Sequence, residues 1–106
     1  MKIIWSDFAS KMLREIVVYY KENVNPAIAK KIRNDIFKAT IQLEKYPQMG
    51  QVELNLIRQN EGHRYLVEGN YKIIYKQVKE GILITDIFDT RQDPQKINVI
   101  TRKATK

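Results

Sequence analysis

The chain lacks several residues on which catalytic and metal sites commonly depend. Its 106 residues include no cysteine and only one histidine, and neither a glycine-rich phosphate loop nor a nucleophile elbow occurs. Without cysteine there is no disulfide, no thiolate metal site and no cysteine nucleophile. A single histidine argues against a zinc site and a histidine-dependent triad. We therefore expect neither a metal nor a cofactor.

Long apolar runs are also missing. No stretch of about eighteen apolar residues occurs, so the sequence predicts no membrane span and no membrane partner. The first apolar stretch, Ile3–Trp5, is followed at once by Ser6 and Asp7, which argues against a secretory signal peptide. With the absence of cysteine, these features predict a cytoplasmic protein. A hydrophobic content of 43% at this length predicts a single folded domain.

Positive charge is plentiful and unevenly distributed. The net charge of +7 favours anionic partners such as nucleic acid, a ribosome or an acidic protein. Charges balance over residues 7–22, whereas residues 26–46 and 95–106 carry a basic excess. A solvated surface that only keeps the protein soluble is the alternative interpretation. The bases of the last stretch are Lys96, Arg102, Lys103 and Lys106.

Two amphipathic helices are predicted in the first half of the chain. Ser6 is a good N-cap, and apolar residues at three- and four-residue spacing predict a helix over residues 7–22. Asn25–Pro26 begins a second helix that should continue to Tyr46, a length of about 30 Å. The short connection predicts an antiparallel hairpin. The apolar stripe of the second helix is Ala29, Ile32, Ile36, Ala39 and Leu43.

The second half changes to the period of strands. Alternating apolar residues and a tight-turn dipeptide, Gly69–Asn70, indicate strands joined by short turns. The element order is β-α-α-β-β-β, which predicts an α+β fold with the helix hairpin on one face of a small antiparallel sheet. The predicted strands are residues 2–5, 63–68, 71–78 and 82–88, and Val52, Leu54 and Leu56 alternate with polar residues ahead of the second of these.

A two-residue turn at Gly69–Asn70 fixes the register of the hairpin. It places Glu68 opposite Tyr71 and Arg64 opposite Tyr75. We expect this face to be covered by the helices and the other face to be open. Cations beside an aromatic ring on the open face would suit the binding of phosphates and nucleic-acid bases. The alternative is an ordinary solvent-facing sheet whose lysines protect its edge from pairing with other chains. The open face would carry His63, Tyr65, Lys72 and Lys76.

Two neighbouring residues of this hairpin are candidates for chemistry. His63 has the side chain whose pKa lies nearest neutrality, but a lone histidine on an exposed strand is more often a bystander. Arg64 should point towards the packed side. There it would either pair with Asp86 or Asp89 in a structural role or extend into a cleft.

Arg91 follows the last predicted strand, in a loop at a strand end where functional residues are common. The alternative is a local salt bridge to Asp89 or Asp93, which contributes little at a surface. Both interpretations stay open at this point.

Several segments in a fixed order together resemble the RelE/ParE superfamily of type II toxins, over about residues 3–94. Each is degenerate alone, and their order and spacing carry the resemblance. The helix hairpin and its end resemble the family's "L...P..G" pattern. The matching segments are Ile4–Ser6 with Ala9 and Leu13, Leu43–Gly50, Arg64–Leu66 before Tyr71–Tyr75, Ile84–Phe88, and Arg91–Pro94.

The resemblance implies a toxin domain over residues 1–94, followed by a basic tail over residues 95–106. Such a toxin arrests growth and is held inactive by a cognate acidic antitoxin in a hetero-oligomer. The antitoxin wraps a largely disordered acidic segment around the toxin, which would suit a basic helix and tail. RelE-like members cleave mRNA on the ribosome, whereas ParE-like members inhibit DNA gyrase.

Metal-free RNA cleavage needs an acid or base at the reacting oxygens and cations for the phosphate. RelE-like nucleases place a tyrosine or histidine near the C-terminus, but here no aromatic residue or histidine follows Phe88. This departure favours gyrase as the target, with a ribosome-dependent endoribonuclease and a non-toxic RNA-binding module as alternatives. If the chain is a nuclease, the resemblance implies Arg64, Lys72 and Arg91 as catalytic cations, with Tyr65 or His63 replacing the acid or base. Residues expected to bind nucleic acid or the target are Lys76, Lys96, Arg102 and Lys103.

Overall fold

The computed structural model describes residues 1–98. Its α-helices are α1 (Asp7–Asn23) and α2 (Pro26–Ile41), and short 3-10 helices cover Gln42–Glu44, Leu54–Gln59 and Pro94–Asn98. The strands are β1 (Ile3–Trp5), β2 (Gln51–Val52), β3 (Arg64–Glu68), β4 (Tyr71–Val78) and β5 (Gly81–Asp89). The predicted β-α-α-β-β-β order is confirmed, with the two-residue β2 as an additional strand before β3.

Both helices begin where the capping residues predicted. The Ser6 hydroxyl accepts a hydrogen bond of 3.0 Å from the amide of Ala9, and the Asn25 side chain accepts one of 2.9 Å from Ile28. The second helix is shorter than predicted, because α2 ends at Ile41 and its last turn tightens into a 3-10 helix. Its length is therefore about 24 Å rather than 30 Å.

The five strands form one sheet in the order β1-β5-β4-β3-β2. β1 lies parallel to β5, with Ile3 opposite Ile82, and the remaining neighbours are antiparallel. The helix hairpin covers one face of this sheet, as predicted. The main core between them includes Ala9, Leu13, Ile36, Leu43, Tyr71, Ile73, Tyr75, Ile82, Ile84 and Ile87.

The predicted register of the β3–β4 hairpin is confirmed. Glu68 lies opposite Tyr71, and Arg64 lies opposite Tyr75. Since side chains alternate along a strand, Tyr71 and Tyr75 share the face that the helices cover, while Lys72 lies on the other face.

The strand-like alternation of residues 52–56 does not continue as a strand. β2 stops at Val52, and Glu53 caps a 3-10 helix because its carboxylate accepts a 3.1 Å hydrogen bond from the amide of Asn55. Glu53 is only 1% exposed whereas Leu54 is 70% exposed, the reverse of the expected alternation. A side chain that bonds the nearby backbone competes with the strand ladder, which explains the difference.

The second face of the sheet is not open, so that prediction is also wrong. A smaller core packs there and consists of Leu56, Ile74, Phe88 and Ile97, with Tyr65 against it. Leu56 and Ile97 come from two 3-10 helices that cover this face. A sheet with buried apolar side chains on both faces needs cover on both. Ile97 and Lys96 both lie in the segment predicted as the basic tail, residues 95–106. Arg102 and Lys103, which belong to the same segment, lie outside the described residues.

Within residues 1–98, no helix is both long enough and apolar enough to cross a lipid bilayer.

Candidate functional site

Lys72 is held by two groups of its own chain on the sheet face opposite the helices. Its ammonium nitrogen lies 2.9 Å from a carboxylate oxygen of Glu53 and 4.2 Å from the centre of the Tyr65 ring. The other oxygen of Glu53 accepts hydrogen bonds from the backbone and side-chain amides of Asn55, at 3.1 and 2.9 Å. The charge of Lys72 is thus compensated inside the protein.

The ionised form of Glu53 is stabilised despite its burial. Burial acts to raise the pKa of this carboxyl, but the hydrogen bonds from Lys72 and Asn55 outweigh it and lower the pKa below the ordinary value. Glu53 therefore stays negatively charged at neutral pH and keeps Lys72 paired.

The other lysine of this face, Lys76, also forms an ion pair with an acid. The ammonium of Lys76 lies 2.8 Å from Glu61, and the imidazole of His63 approaches the same carboxylate oxygen at 3.8 Å. His63 is 4% exposed, so the expectation of an exposed histidine is wrong. The Tyr65 hydroxyl donates a 3.0 Å hydrogen bond to Gln51. Acidic groups therefore line the face that we expected to be cationic.

Arg64 binds the loop that follows the helix hairpin rather than Asp86 or Asp89. Its guanidinium donates hydrogen bonds to the main-chain carbonyl oxygens of Gly50, at 2.7 Å, and Gln48, at 3.4 Å. The amide of Gly50 in turn donates to the hydroxyl of Tyr75 at 3.0 Å. Arg64 and Tyr75 together fix the main chain before β2.

Arg91 forms the local salt bridge that was one of its two interpretations. Its side chain makes two hydrogen bonds to the carboxylate of Asp89, at 2.9 and 2.8 Å, and its amide donates a third at 2.9 Å. The hydrogen bond from the Arg91 side chain lowers the pKa of the Asp89 carboxyl. A bidentate pair of this kind holds the guanidinium in a defined orientation.

The three candidate catalytic cations do not converge on one point. Arg64 and Lys72 lie on opposite faces of the sheet, and Arg91 follows the end of β5. Sequence reasoning missed Glu53 and Glu61, because strand alternation assigned the first to solvent and gave no signal for the second. Within residues 1–98, no three His, Asp or Glu residues cluster as metal ligands would.

A separate groove lies between β1 and the two helices. Its walls are mainly apolar, and Trp5 and Phe37 meet edge-to-face with 5.2 Å between ring centres. The guanidinium of Arg33 lies 4.7 Å from the centre of the Phe37 ring. Its lining residues are Trp5, Ser10, Leu13, Arg14, Val17, Val18, Arg33 and Phe37, which include two cations and no acid.

The fold matches that of a solved structure. A structure described as the chromosomal ParDE TA system from P. aeruginosa superimposes with a TM-score of 0.69. The match has 21% sequence identity and covers 84% of this chain and 95% of that chain. No curated protein sequence matches the chain.

A helix hairpin packed on a small sheet, in this order of elements, defines a class of α+β fold to which that structure also belongs. The sequence pattern of one family within that class, described as the ParE toxin of the type II toxin–antitoxin system parDE, matches residues 3–94. The chain therefore belongs to the ParE toxin family.

Proposed function

We propose that this toxin arrests growth by inhibiting DNA gyrase and that it is not a ribonuclease. Membership of the ParE toxin family supports the first part. The second part, that the toxin is not a ribonuclease, rests on one observation: the cations that a nuclease would need are already bound to groups of this chain. Lys72 and Arg91 are paired with carboxylates, and Arg64 is bound to backbone carbonyls.

Using Lys72 to bind a phosphate would first require its separation from Glu53. That would leave a buried carboxylate without its cation, and breaking a buried ion pair costs roughly 3 kcal/mol. A phosphate would therefore have to compete with a carboxylate that is already in place, at 2.9 Å.

The candidate acid–base groups are similarly engaged. The Tyr65 hydroxyl donates to Gln51, and the ring of Tyr65 lies against the ammonium of Lys72. The side chain of His63 is buried. General acid–base catalysis needs a group within hydrogen-bond reach of the substrate proton; His63 is buried, and the exposed Tyr65 hydroxyl already donates to Gln51.

The cognate antitoxin is the second partner that we propose. An acidic amphipathic segment fits the groove between β1 and the helix hairpin, since its apolar side chains would meet Trp5 and Phe37 while its carboxylates would meet Arg14 and Arg33. Within the described residues neither arginine forms an ion pair. The toxin and antitoxin would then form a hetero-oligomer through a groove that the toxin presents ready-made.

Purified toxin tests the proposal directly. We expect it to inhibit supercoiling of relaxed plasmid by gyrase, and transcripts mapped by primer extension after brief induction should stay intact. Cleavage of transcripts that requires ribosomes would contradict the proposal and identify a RelE-like endoribonuclease. Salt-sensitive RNA binding without growth arrest would instead indicate a non-toxic RNA-binding module.

A further inference from the structure

Exposed apolar side chains are concentrated along the β2 edge of the sheet. Tyr46, Met49 and Val52 lie before or within β2, and Leu54 and Ile57 lie on the 3-10 helix after it. We call these five residues the edge patch. Their exposed fractions run from 45% for Val52 to 70% for Leu54. Large apolar side chains that a small domain leaves in water in one stretch of chain indicate an interaction surface.

The main chain that carries the edge patch is rigidly held. Arg64 and Tyr75 bind the carbonyl and amide of Gly50, and the amide of Met49 donates to the carbonyl of Tyr46 at 3.1 Å. Gly50 is packed so closely that an added Cβ would lie 2.6 Å from the Tyr75 hydroxyl. A surface that is ordered before binding loses less entropy on association, which favours affinity.

Two cations that are unpaired within the described residues flank the edge patch; of the nearby acids, Glu61 is paired with Lys76, and exposed Glu44 precedes the first cation. Lys45 and Arg58 flank it, both are exposed, and neither forms an ion pair in the part of the chain that the structure describes. The only acid between them in the sequence is Glu53, which is buried and paired with Lys72. The patch is therefore an apolar strip with cations at both ends of its segment.

We propose that the edge patch binds an acidic surface of the protein that the toxin inhibits, with Tyr46, Leu54 and Ile57 as the apolar anchors. The inference rests on the proposed function and names the surface that would perform it. The charge of the segment selects an acidic partner. Four of the five residues of the patch are not aromatic, which favours a protein surface over nucleic acid, where stacking on aromatic rings dominates.

The groove proposed for the antitoxin lies at the other end of the sheet. β1 and β2 are the two edge strands in the order β1-β5-β4-β3-β2, and the groove contains Trp5 of β1. The target and the antitoxin would therefore contact different edges of the same sheet, and variants of one surface can be separated from variants of the other.

A double variant, Leu54→Ser with Ile57→Ser, tests the inference against a matched control, Val24→Ser with Ile28→Ser. The control residues are also exposed but lie at the turn between the helices. Binding to purified gyrase and inhibition of supercoiling are measured for both, together with the melting temperature. We expect the edge variant to bind about tenfold more weakly or worse, while the control binds like the wild type. Because all four residues are exposed, both variants should melt close to the wild type.

A charge reversal provides a second, independent measurement. Arg58→Glu should weaken gyrase binding, and the loss should shrink as the salt concentration rises. Edge variants as potent as the wild type would overturn this inference alone and leave gyrase inhibition standing. Wild-type toxin that leaves gyrase active would overturn both the proposed function and the inference.

Discussion

Glu53 determines the chemistry of the sheet face opposite the helices. It is buried, it caps a 3-10 helix through Asn55, and it neutralises Lys72. Without this carboxylate, Lys72 would be a cation beside the aromatic ring of Tyr65, an arrangement suited to RNA. With the carboxylate in place, the same residues stabilise the fold.

Replacing Glu53 by glutamine should therefore destabilise the protein. The amide keeps the volume of the side chain but removes the charge that compensates Lys72, so we expect a loss of about 2 kcal/mol in the free energy of unfolding. Urea denaturation at neutral pH measures it. Glu15→Gln is the matched control, because its ion pair with Lys11 is exposed and 3.7 Å long, and it should change the unfolding free energy by less than about 0.5 kcal/mol. Equal effects of the two substitutions would show that the Glu53–Lys72 pair contributes nothing special.

The same residue predicts the direction of a pH effect. The pKa of Glu53 is lowered in the folded protein, so the unfolded chain binds a proton more readily than the folded one as pH falls. The stability that Glu53 contributes is present above its ordinary pKa of 4.5 and is lost as pH falls below it. The difference in melting temperature between wild type and Glu53→Gln should narrow as pH is lowered through this range. A difference that is constant from pH 7 to the acid limit of folding would contradict the assignment.

At the scale of elements, the sequence predicted structure best where local chemistry is decisive. The caps Ser6 and Asn25 and the turn Gly69–Asn70 act within a few residues, and each marks a boundary that the structure confirms. The burial of Glu53 after β2 could not be predicted from the alternating pattern, because the buried carboxylate is paired with a cation from β4. Nothing in the local pattern of residues 52–56 reveals that Lys72, distant in sequence, compensates the charge of Glu53.

The loop between α2 and β2 provides the prediction that belongs to this scale. Arg64 donates both hydrogen bonds, to the carbonyls of Gly50 and Gln48, from one terminal guanidinium nitrogen, which lies one bond farther from Cα than the ammonium of a lysine, so a lysine keeps the charge but not the reach. Arg64→Lys should therefore increase proteolysis within residues 46–50 and weaken gyrase binding, with a smaller effect on antitoxin binding. Limited proteolysis and binding measurements on one preparation test this. Lysine that fully replaces arginine in both assays would mean that only the charge matters at this position.

At the scale of the whole molecule, the joint order of degenerate segments was sufficient to predict the fold and the family. The cover on the second sheet face could not be predicted in the same way. It comes from Leu56 and Ile97, which lie on 3-10 helices of a few residues each, too short for a periodic pattern to be recognised. The expectation of an open face was wrong for this reason, since a second core lies there.

The fold separates the basic residues that are paired within the protein from those that partners can reach. Lysines of the sheet face are paired with acids, whereas Arg14 and Arg33 on the helices have no carboxylate partner in the described part of the chain. Within residues 1–98, the cations that partners can reach therefore include Arg14 and Arg33 on the helix hairpin and Lys45 and Arg58 beside the edge patch, whereas the lysines of the sheet face are paired.

The pairing of β1 with β5 has a consequence for how the toxin is made. β5 is the only described strand beside β1, so Ile3 finds its partner, Ile82, only after nearly the whole domain has been synthesised. Pairings between residues so distant in sequence slow folding. A chain that ends before β5 would leave its first strand without the neighbour that it pairs with in the structure.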